Sequence, residues 1–308
     1  MSEEQFVEEL VERTGGVDGS FIGDDCAILR EHDPPQVVTV DGITRGVHFD
    51  DSFRGTQVGT KLAGINLSDI AAMGAQPRHA FLSLNTEQPS EYIKHFLDGV
   101  TSTLANFDVS LSGGDFCSTG NSSNETDTLT IIGEAQPEGV MLRSLAQPGD
   151  LIAVTGPLGG PASILEIEPE KRSQQERQLL WDIPVHIEDG KRLIQKGVRC
   201  GIDVSDGFLK DLGRICNSSD LKAEVDTGAI PIHPMAREKL PPQKALKRAL
   251  AGGEDYCLLI AIPPEIKESL AEIELTFVGE FTSGSGISLE HGDVDPGPLD
   301  DGYDHFQD

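Results

Sequence analysis

Positive charge is scarce in this sequence. Against 52 aspartates and glutamates stand 24 lysines and arginines, a formal net charge of −28 over 308 residues. A surface of that sign repels nucleic acid and anionic membranes, so no nucleic-acid and no membrane partner is expected. Long apolar runs are also missing. Nothing approaches the roughly 20 consecutive apolar residues of a membrane-spanning helix. The N-terminal stretch MSEEQFVEEL is acidic where a secretory leader would be basic, so the expected location is cytoplasmic. Cysteine is sparse: Cys26, Cys117, Cys200, Cys216 and Cys257 are odd in number, widely spaced and form no Cys-x-x-Cys pair. That argues against a disulfide framework or a zinc site and for reduced, mostly buried thiols. Several catalytic signatures are lacking too. There is no Gly-x-x-x-x-Gly-Lys-Ser/Thr phosphate loop, no Gly-x-Ser-x-Gly nucleophile turn and no His-Glu-x-x-His helix.

What is present is acid, and it allows two readings. A heavily carboxylated, hydrated surface suits a halophilic protein whose self-repulsion is screened by salt. Clustered carboxylates also concentrate divalent cations. The first reading covers the bulk of the charge but not acids lodged inside apolar and Gly-rich motifs.

A chain of 308 residues with 37% apolar content can bury two cores. The expected domains are 1–139 and 140–308, with a turn signal at Gln147-Pro148-Gly149-Asp150 opening the second half. Periodicity predicts helices over 2–13, 57–73, 90–106 and 206–216, and an exposed helical stretch within 166–180. Strands are predicted at 36–40, 80–84, 109–111, 129–132, 151–155 and 258–262. Helices and strands alternate in both halves, so the class is mixed α/β (α+β). Gly64 to Asp69 echoes Gly201 to Asp206, and each is followed by a Gly-Gly-acid element, at 113–115 and 252–255. This is either a two-walled site or a coincidence of short strings. Gly156 to Gly160 follows a strand and reads as a tight turn, or as a phosphate-holding loop before a helix.

Aspartates recur at strand ends and beside glycine: Asp24 and Asp25 before an apolar run, Asp41 after a β-branched one, Asp115 after two glycines, and Asp203 and Asp206 around Ser205. Asp69 is the oddest. It shares a helix face with Ile65 and Met73, where a carboxylate is costly unless paired or metal-bound. Many hard oxygen donors with few fixed cations nearby is how Mg²⁺ is held, the rest of its shell being water and phosphate.

In order along the chain come Gly23-Asp24-Asp25-Cys26-Ala27, Asp41 through Gly46-Val47-His48-Phe49, Asn66-Leu67-Ser68-Asp69-Ile70-Ala71-Ala72-Met73-Gly74-Ala75, Gly113-Gly114-Asp115, Asp203-Val204-Ser205-Asp206-Gly207, Gly252-Gly253-Glu254-Asp255-Tyr256 and Gly302-Tyr303-Asp304-His305-Phe306. Over nearly its whole length the sequence resembles the thiamine-monophosphate kinase family, within the superfamily of aminoimidazole ribonucleotide and selenophosphate synthetases. The resemblance implies ATP-dependent phosphorylation of thiamine monophosphate to thiamine diphosphate. It implies several Mg²⁺ ions on Asp25, Thr39, Asp41, Asp69, Asp115, Asp203 and Asp206. ATP would meet Gly114, Asp115, Arg143 and Ser205, and the thiamine substrate would meet His48, Glu254 and Tyr303. It further implies an N-terminal α/β domain whose sheet dimerises and a larger C-terminal α/β domain, hence a homodimer. The sequence departs from the family pattern at Val40, at Phe116 and over Ile183 to Ile187.

The acceptor in such a reaction is already a phosphate, with a second pKa near 6, and needs no general base. A site rich in aspartate and poor in catalytic His, Cys or Ser fits metal-assisted positioning with no acid/base residue. Selenophosphate synthesis would call for a reactive Cys near a Gly-rich N-terminal segment, and none precedes Cys26. Aminoimidazole ribonucleotide synthesis is disfavoured by the motifs at 252–256 and 302–306. A non-catalytic cation buffer would explain the charge but not one acid per separate Gly-rich or strand-end motif.

Overall fold

The computed structural model describes residues 24–120, 125–165, 167–290, 292, 294, 296 and 297; the helix expected over 2–13 and the 302–306 motif with Tyr303 lie outside them. Two sheets organise the chain. The first holds β1 (Ala27–Leu29), β2 (Gln36–Thr44), β3 (Gln76–Asn85), β4 (Ser110–Cys117) and β5 (Thr126–Glu134), in the order β1-β2-β5-β3-β4. Its pairings are antiparallel except β3 with β4. The second holds β6 (Leu151–Val154), β7 (Cys200–Asp203), β8 (Leu221–Asp226), β9 (Leu258–Ile262), β10 (Thr276–Ser283) and β11 (Gly286–Glu290), in the order β11-β8-β10-β6-β9-β7. Only β8 and β11 run parallel there. Seven α-helices are interspersed among the described residues: α1 (Gly55–Ala72), α2 (Ser90–Ala105), α3 (Gln174–Gln178), α4 (Ile187–Gln195), α5 (Phe208–Ser219), α6 (Pro234–Lys239) and α7 (Pro242–Ala251). The class is mixed α/β, as the alternation of patterns indicates.

Helix α1 is the seam of the molecule. It packs on β2 and β5 of the first sheet and on α4, β7 and β9 of the second half. Its buried residues include Val58, Leu62, Ile65, Leu67, Ile70 and Ala72, on every side. A helix apolar all round belongs inside a protein, which leaves its few polar residues with somewhere specific to point. Helix α2 lies outside α1 and buries one stripe, Phe96, Gly99, Val100 and Leu104. In the second sheet β9 reads Leu-Leu-Ile-Ala-Ile and is buried throughout, the mark of a strand covered on both faces.

Three local expectations need correction. The strand expected at 109–111 does not stop there but runs on through Gly113-Gly114-Asp115 as β4, paired with β3 past an irregularity at Ser112. Gly114 permits this, because a Cβ there would lie 2.0 Å from the Leu82 carbonyl oxygen. The 166–180 stretch is broken into a 3-10 turn at Pro169–Lys171 and the short α3, and Glu176 within it is buried against Lys239 at 2.8 Å. The helix expected from Asp206 starts at Phe208: Gly207 takes φ +124, and Asp211 accepts the N–H groups of Asp206 and Gly207 at 3.1 Å each. The echoing segments 64–69 and 201–206 differ in structure, the first lying within α1 and the second running from β7 into a turn, yet they meet, Ser68 Oγ donating to Asp203 Oδ2 at 2.6 Å.

Near its start, β5 buries Asp127. Its Oδ1 accepts from the Asn85 amide at 2.9 Å and its Oδ2 has no partner among the described residues. Burial, reinforced by the Glu125 charge, pushes it up to about 7. An unfolded aspartate titrates near 3.9. The folded pKa is the higher one, so this group's contribution to stability is fully present below about pH 4 and is lost as pH rises through about 7. Asp127→Asn should therefore melt progressively higher than the parent as pH rises from 5 to 7, with a constant difference above that. A parallel pair of melting curves across this range would contradict the assignment.

Candidate active site

The polar residues of α1 point in two directions. On one face, Asn66 Oδ1 accepts from the Asp41 amide at 3.1 Å, and Asp69 Oδ2 accepts from Thr39 Oγ1. Thr39 and Asp41 lie two apart on β2 and so share a side of the strand. On the other, Ser68 Oγ donates to Asp203 Oδ2 at 2.6 Å and Lys61 Nζ donates to Glu254 Oε1 at 2.6 Å. Lys61 and Ser68 are seven positions apart, two helical turns, and so stand above one another. One helix thus addresses residues of both sheets.

At the end of α1 three carboxylates converge. Asp25 just before β1, Asp69 in the last turn of α1 and Asp203 at the end of β7 each offer an oxygen within 4.8 Å of the others. Asp69 is pushed well above the usual carboxylate range, by burial first and then by the charges of Asp203, Asp41 and Asp25, with the Thr39 hydrogen bond opposing. Asp203 is raised likewise, by burial and by Asp25, with Ser68 opposing. Arg143 stands beside them, its guanidinium donating to Asp25 Oδ1 at 2.8 Å and its amide to Asp24. The other Asp25 oxygen is buried with no hydrogen-bond partner among the described residues. Mutually repelling carboxylates with an orphaned hard oxygen are a donor set suited to a divalent cation such as Mg²⁺.

The other candidate residues are each held by different neighbours. The Glu254 amide donates to the Ser205 carbonyl at 2.7 Å, and Glu254 holds a left-handed φ of +70. His48 Nδ1 accepts from the Thr44 amide at 3.0 Å, and the His48 carbonyl accepts from Lys61 at 3.0 Å. Asp206 stands apart from the triad, its Oδ2 taken by Arg214 at 2.5 Å and Lys210 at 3.1 Å. Gly114 and Asp115 are furthest away. They lie on the edge strand β4, three strands from β2, about 14 Å at ordinary strand spacing. There they line an apolar groove of about 580 Å³ with Leu82, Leu84, Ile93, Leu97 and Phe116.

The Gly156 to Gly160 loop is no phosphate cradle. The Gly159 amide points at the buried Asp255 carboxylate, 2.9 Å from both oxygens, so the chain satisfies the loop itself. Lys61, Asn66 and Ser68 are the site residues that sequence reasoning missed. The available signal was polarity inside an apolar helical pattern: a lysine at 61 that is 1% exposed has to be paired.

Residues 23–135 match the family model "AIR synthase related protein, N-terminal domain", and residues 147–292 its C-terminal counterpart. The thiamine-monophosphate kinase of Haemophilus influenzae is 34% identical, over 93% of this chain and 91% of that protein. The chain belongs to the thiamine-monophosphate kinase family. The enzyme of that name from Pyrococcus horikoshii is 30% identical, over 95% of this chain and 92% of its own. Among solved structures, AaThiL complexed with AMPPCP and TMP superposes with a TM-score of 0.86 at 25% identity, covering 99% of this chain and 97% of that one. The thiamine-monophosphate kinase of Stenotrophomonas maltophilia superposes at 0.78 with 31% identity, over 94% and 98%. The chain is accordingly an enzyme, a kinase of this family.

Each of the three departures has its own place in the structure. Val40 alternates with Thr39 and Asp41 along β2 and is 62% exposed, so it faces away from the triad. Phe116 is 60% exposed on the β4 edge. Ile183 packs over Gly64 of α1, where a Cβ would meet it at 2.7 Å, so in this chain the 183–187 segment supplies apolar cover for the seam helix.

Proposed function

We propose that the chain phosphorylates thiamine monophosphate by direct, metal-assisted, in-line transfer from ATP, yielding thiamine diphosphate. ATP-dependent phosphorylation of this substrate is the family's reaction. The observation that carries the finer reading is the convergence of Asp25, Asp69 and Asp203 within 4.8 Å of one another, with one Asp25 oxygen buried and without a hydrogen-bond partner among the described residues. Asp25, Asp69 and Asp203, with Thr39 and Asp41 behind them, would hold Mg²⁺, which when bound supplies charge neutralisation to the two approaching phosphates. Arg143 orients Asp25 and adds a fixed positive charge for ATP. Ser205 stands in the turn that fixes Glu254. Glu254 and His48 present the thiamine end, and Tyr303 belongs to the same end by the family resemblance. No residue is needed to deprotonate the acceptor.

Incubation with ATP, Mg²⁺ and thiamine monophosphate in high KCl should give thiamine diphosphate by chromatography. No product from folded, ATP-binding protein across a salt series would overturn the reading. Direct transfer predicts no labelled phosphoprotein with ATP alone.

We propose further that the domains divide at 139/140, between the two sheets. The enzyme is cytoplasmic and halophilic; no helix among the described residues is long and apolar enough to cross a membrane. It is a homodimer in which a second copy's sheet, carrying Gly114 and Asp115 on its open edge, completes the ATP side, and Asp206 exchanges its lysine and arginine partners for a metal. Light scattering in high salt gives the oligomeric state directly.

Repelling carboxylates stabilise the fold only when a cation sits among them. Mg²⁺ should thus raise the melting temperature at fixed ionic strength, with a gain of about 2.7 kcal/mol at a hundredfold excess over its Kd. Chelator should remove that gain. A melting temperature indifferent to chelator would count against the cluster.

A further inference from the structure

Lys61 is the least expected charge in the molecule. It lies mid-way along α1, 1% exposed, in the core between the two sheets. An ammonium is not left there unless its partners hold it. Its partners are two: Glu254 Oε1 at 2.6 Å, from the loop after α7, and the His48 carbonyl oxygen at 3.0 Å, from the loop after β2. Those two loops come from opposite halves of the chain, and Lys61 bonds to both. Glu254 also needs a restraint of its own, since its φ of +70 is a conformation that non-glycine residues seldom hold. The Ser205 carbonyl fixes its amide, and Lys61 fixes its carboxylate.

We propose that Lys61 is a positioning residue for the thiamine end of the site, clamping Glu254 and the His48 loop into their binding arrangement before substrate arrives. This rests on the reading of His48 and Glu254 as substrate contacts. Oε1 of Glu254 is committed to the ammonium, and the side chain remains 24% exposed, so its outward part is what a substrate would meet. Lys61 touches neither carboxylates of the triad nor, in this arrangement, the nucleotide side. Its removal should therefore separate the two substrates.

The test is calorimetric binding of thiamine monophosphate and of ATP, each with Mg²⁺, to the full chain carrying Lys61→Met, Glu254→Gln or both. Lys61→Met should weaken thiamine monophosphate about ten- to hundredfold, the scale of a lost charged hydrogen bond, and leave ATP unchanged. Because Lys61 acts through Glu254, the double variant should be no weaker than the worse single one. Should Lys61→Met fail to fold, Lys61→Arg keeps the buried charge but displaces its donors and should show the same selective loss. Equal losses for both ligands, additive losses in the double variant, or unchanged thiamine monophosphate affinity in a folded Lys61 variant would each overturn the clamp. A parent chain that binds ATP but not thiamine monophosphate would instead overturn the substrate reading on which the clamp stands.

Discussion

Asp69→Asn is expected to lower thiamine diphosphate formation by about a hundred- to a thousandfold, the scale of losing one preorganised charge-stabilising group, while leaving the metal-free protein at least as stable as the parent. The two halves of that result have one cause. Asp69 is the member of the triad with acids on several sides: Asp203, Asp41 and Asp25 all raise its pKa beyond what burial does. At neutral pH its ionised form opposes folding when no cation is present. Asparagine removes the charge, is nearly isosteric and can still accept the Thr39 hydroxyl. The apo fold is relieved while the cation loses a ligand. Melting curves in chelator, paired with turnover in saturating Mg²⁺, read both halves. An inactive variant that is also less stable in chelator would mean that Asp69 is a structural acid paired inside the helix, and the metal reading would lose its centre.

The legible part of the structure followed a physical divide. Helices α1 and α2 and strands β2, β5, β6 and β9 were visible because each is either periodic, as α2, β2 and β5 are, or apolar on nearly every side, as α1, β6 and β9 are. Strands β7, β8, β10 and β11 escaped because polar residues interrupt them, and they are held by their neighbours in the sheet. Asp69 was legible because a carboxylate on an apolar helix face is an anomaly that asks for a partner. Lys61 carried the same anomaly eight residues earlier in the same helix, but its partner Glu254 is 193 positions away, and no local pattern joins them. Asp115 was legible as an acid beside glycines, yet nothing local tells that its strand pairs at the far edge of the sheet. Gly156 to Gly160 looked like a possible phosphate loop for the same reason: the carboxylate that fills it, Asp255, comes from a distant segment.

The same substitution at two helical glycines should have opposite effects. Gly213 in α5 faces open space: a Cβ there meets nothing within 4 Å. Gly213→Ala gains only helix propensity, roughly 0.5–1 kcal/mol, which for a domain of this size is a rise of a few degrees in melting temperature. Gly99 in α2 gains the same propensity but has no room, because its Cβ would lie 2.1 Å from the Thr56 carbonyl oxygen of α1. Its counterparts across the crossing, Gly55 and Gly59, are as tight against the Tyr92 and Phe96 carbonyls, at 2.4 and 2.1 Å. The obstacle is backbone on both sides, so no rotamer change relieves it and the helices must part, at a net cost of about 2–3 kcal/mol. Which helix yields decides the functional outcome. Helix α1 is anchored to both halves of the chain by Lys61, Asn66, Ser68 and Asp69, whereas α2 buries a single stripe and holds neither the triad nor its hydrogen-bond partners. So α2 should be the one displaced. Gly99→Ala should melt well below the parent yet keep its turnover per folded molecule at low temperature. A loss of turnover in folded Gly99→Ala would mean that α1 moves instead, and that the carboxylate triad depends on the glycine crossing behind it.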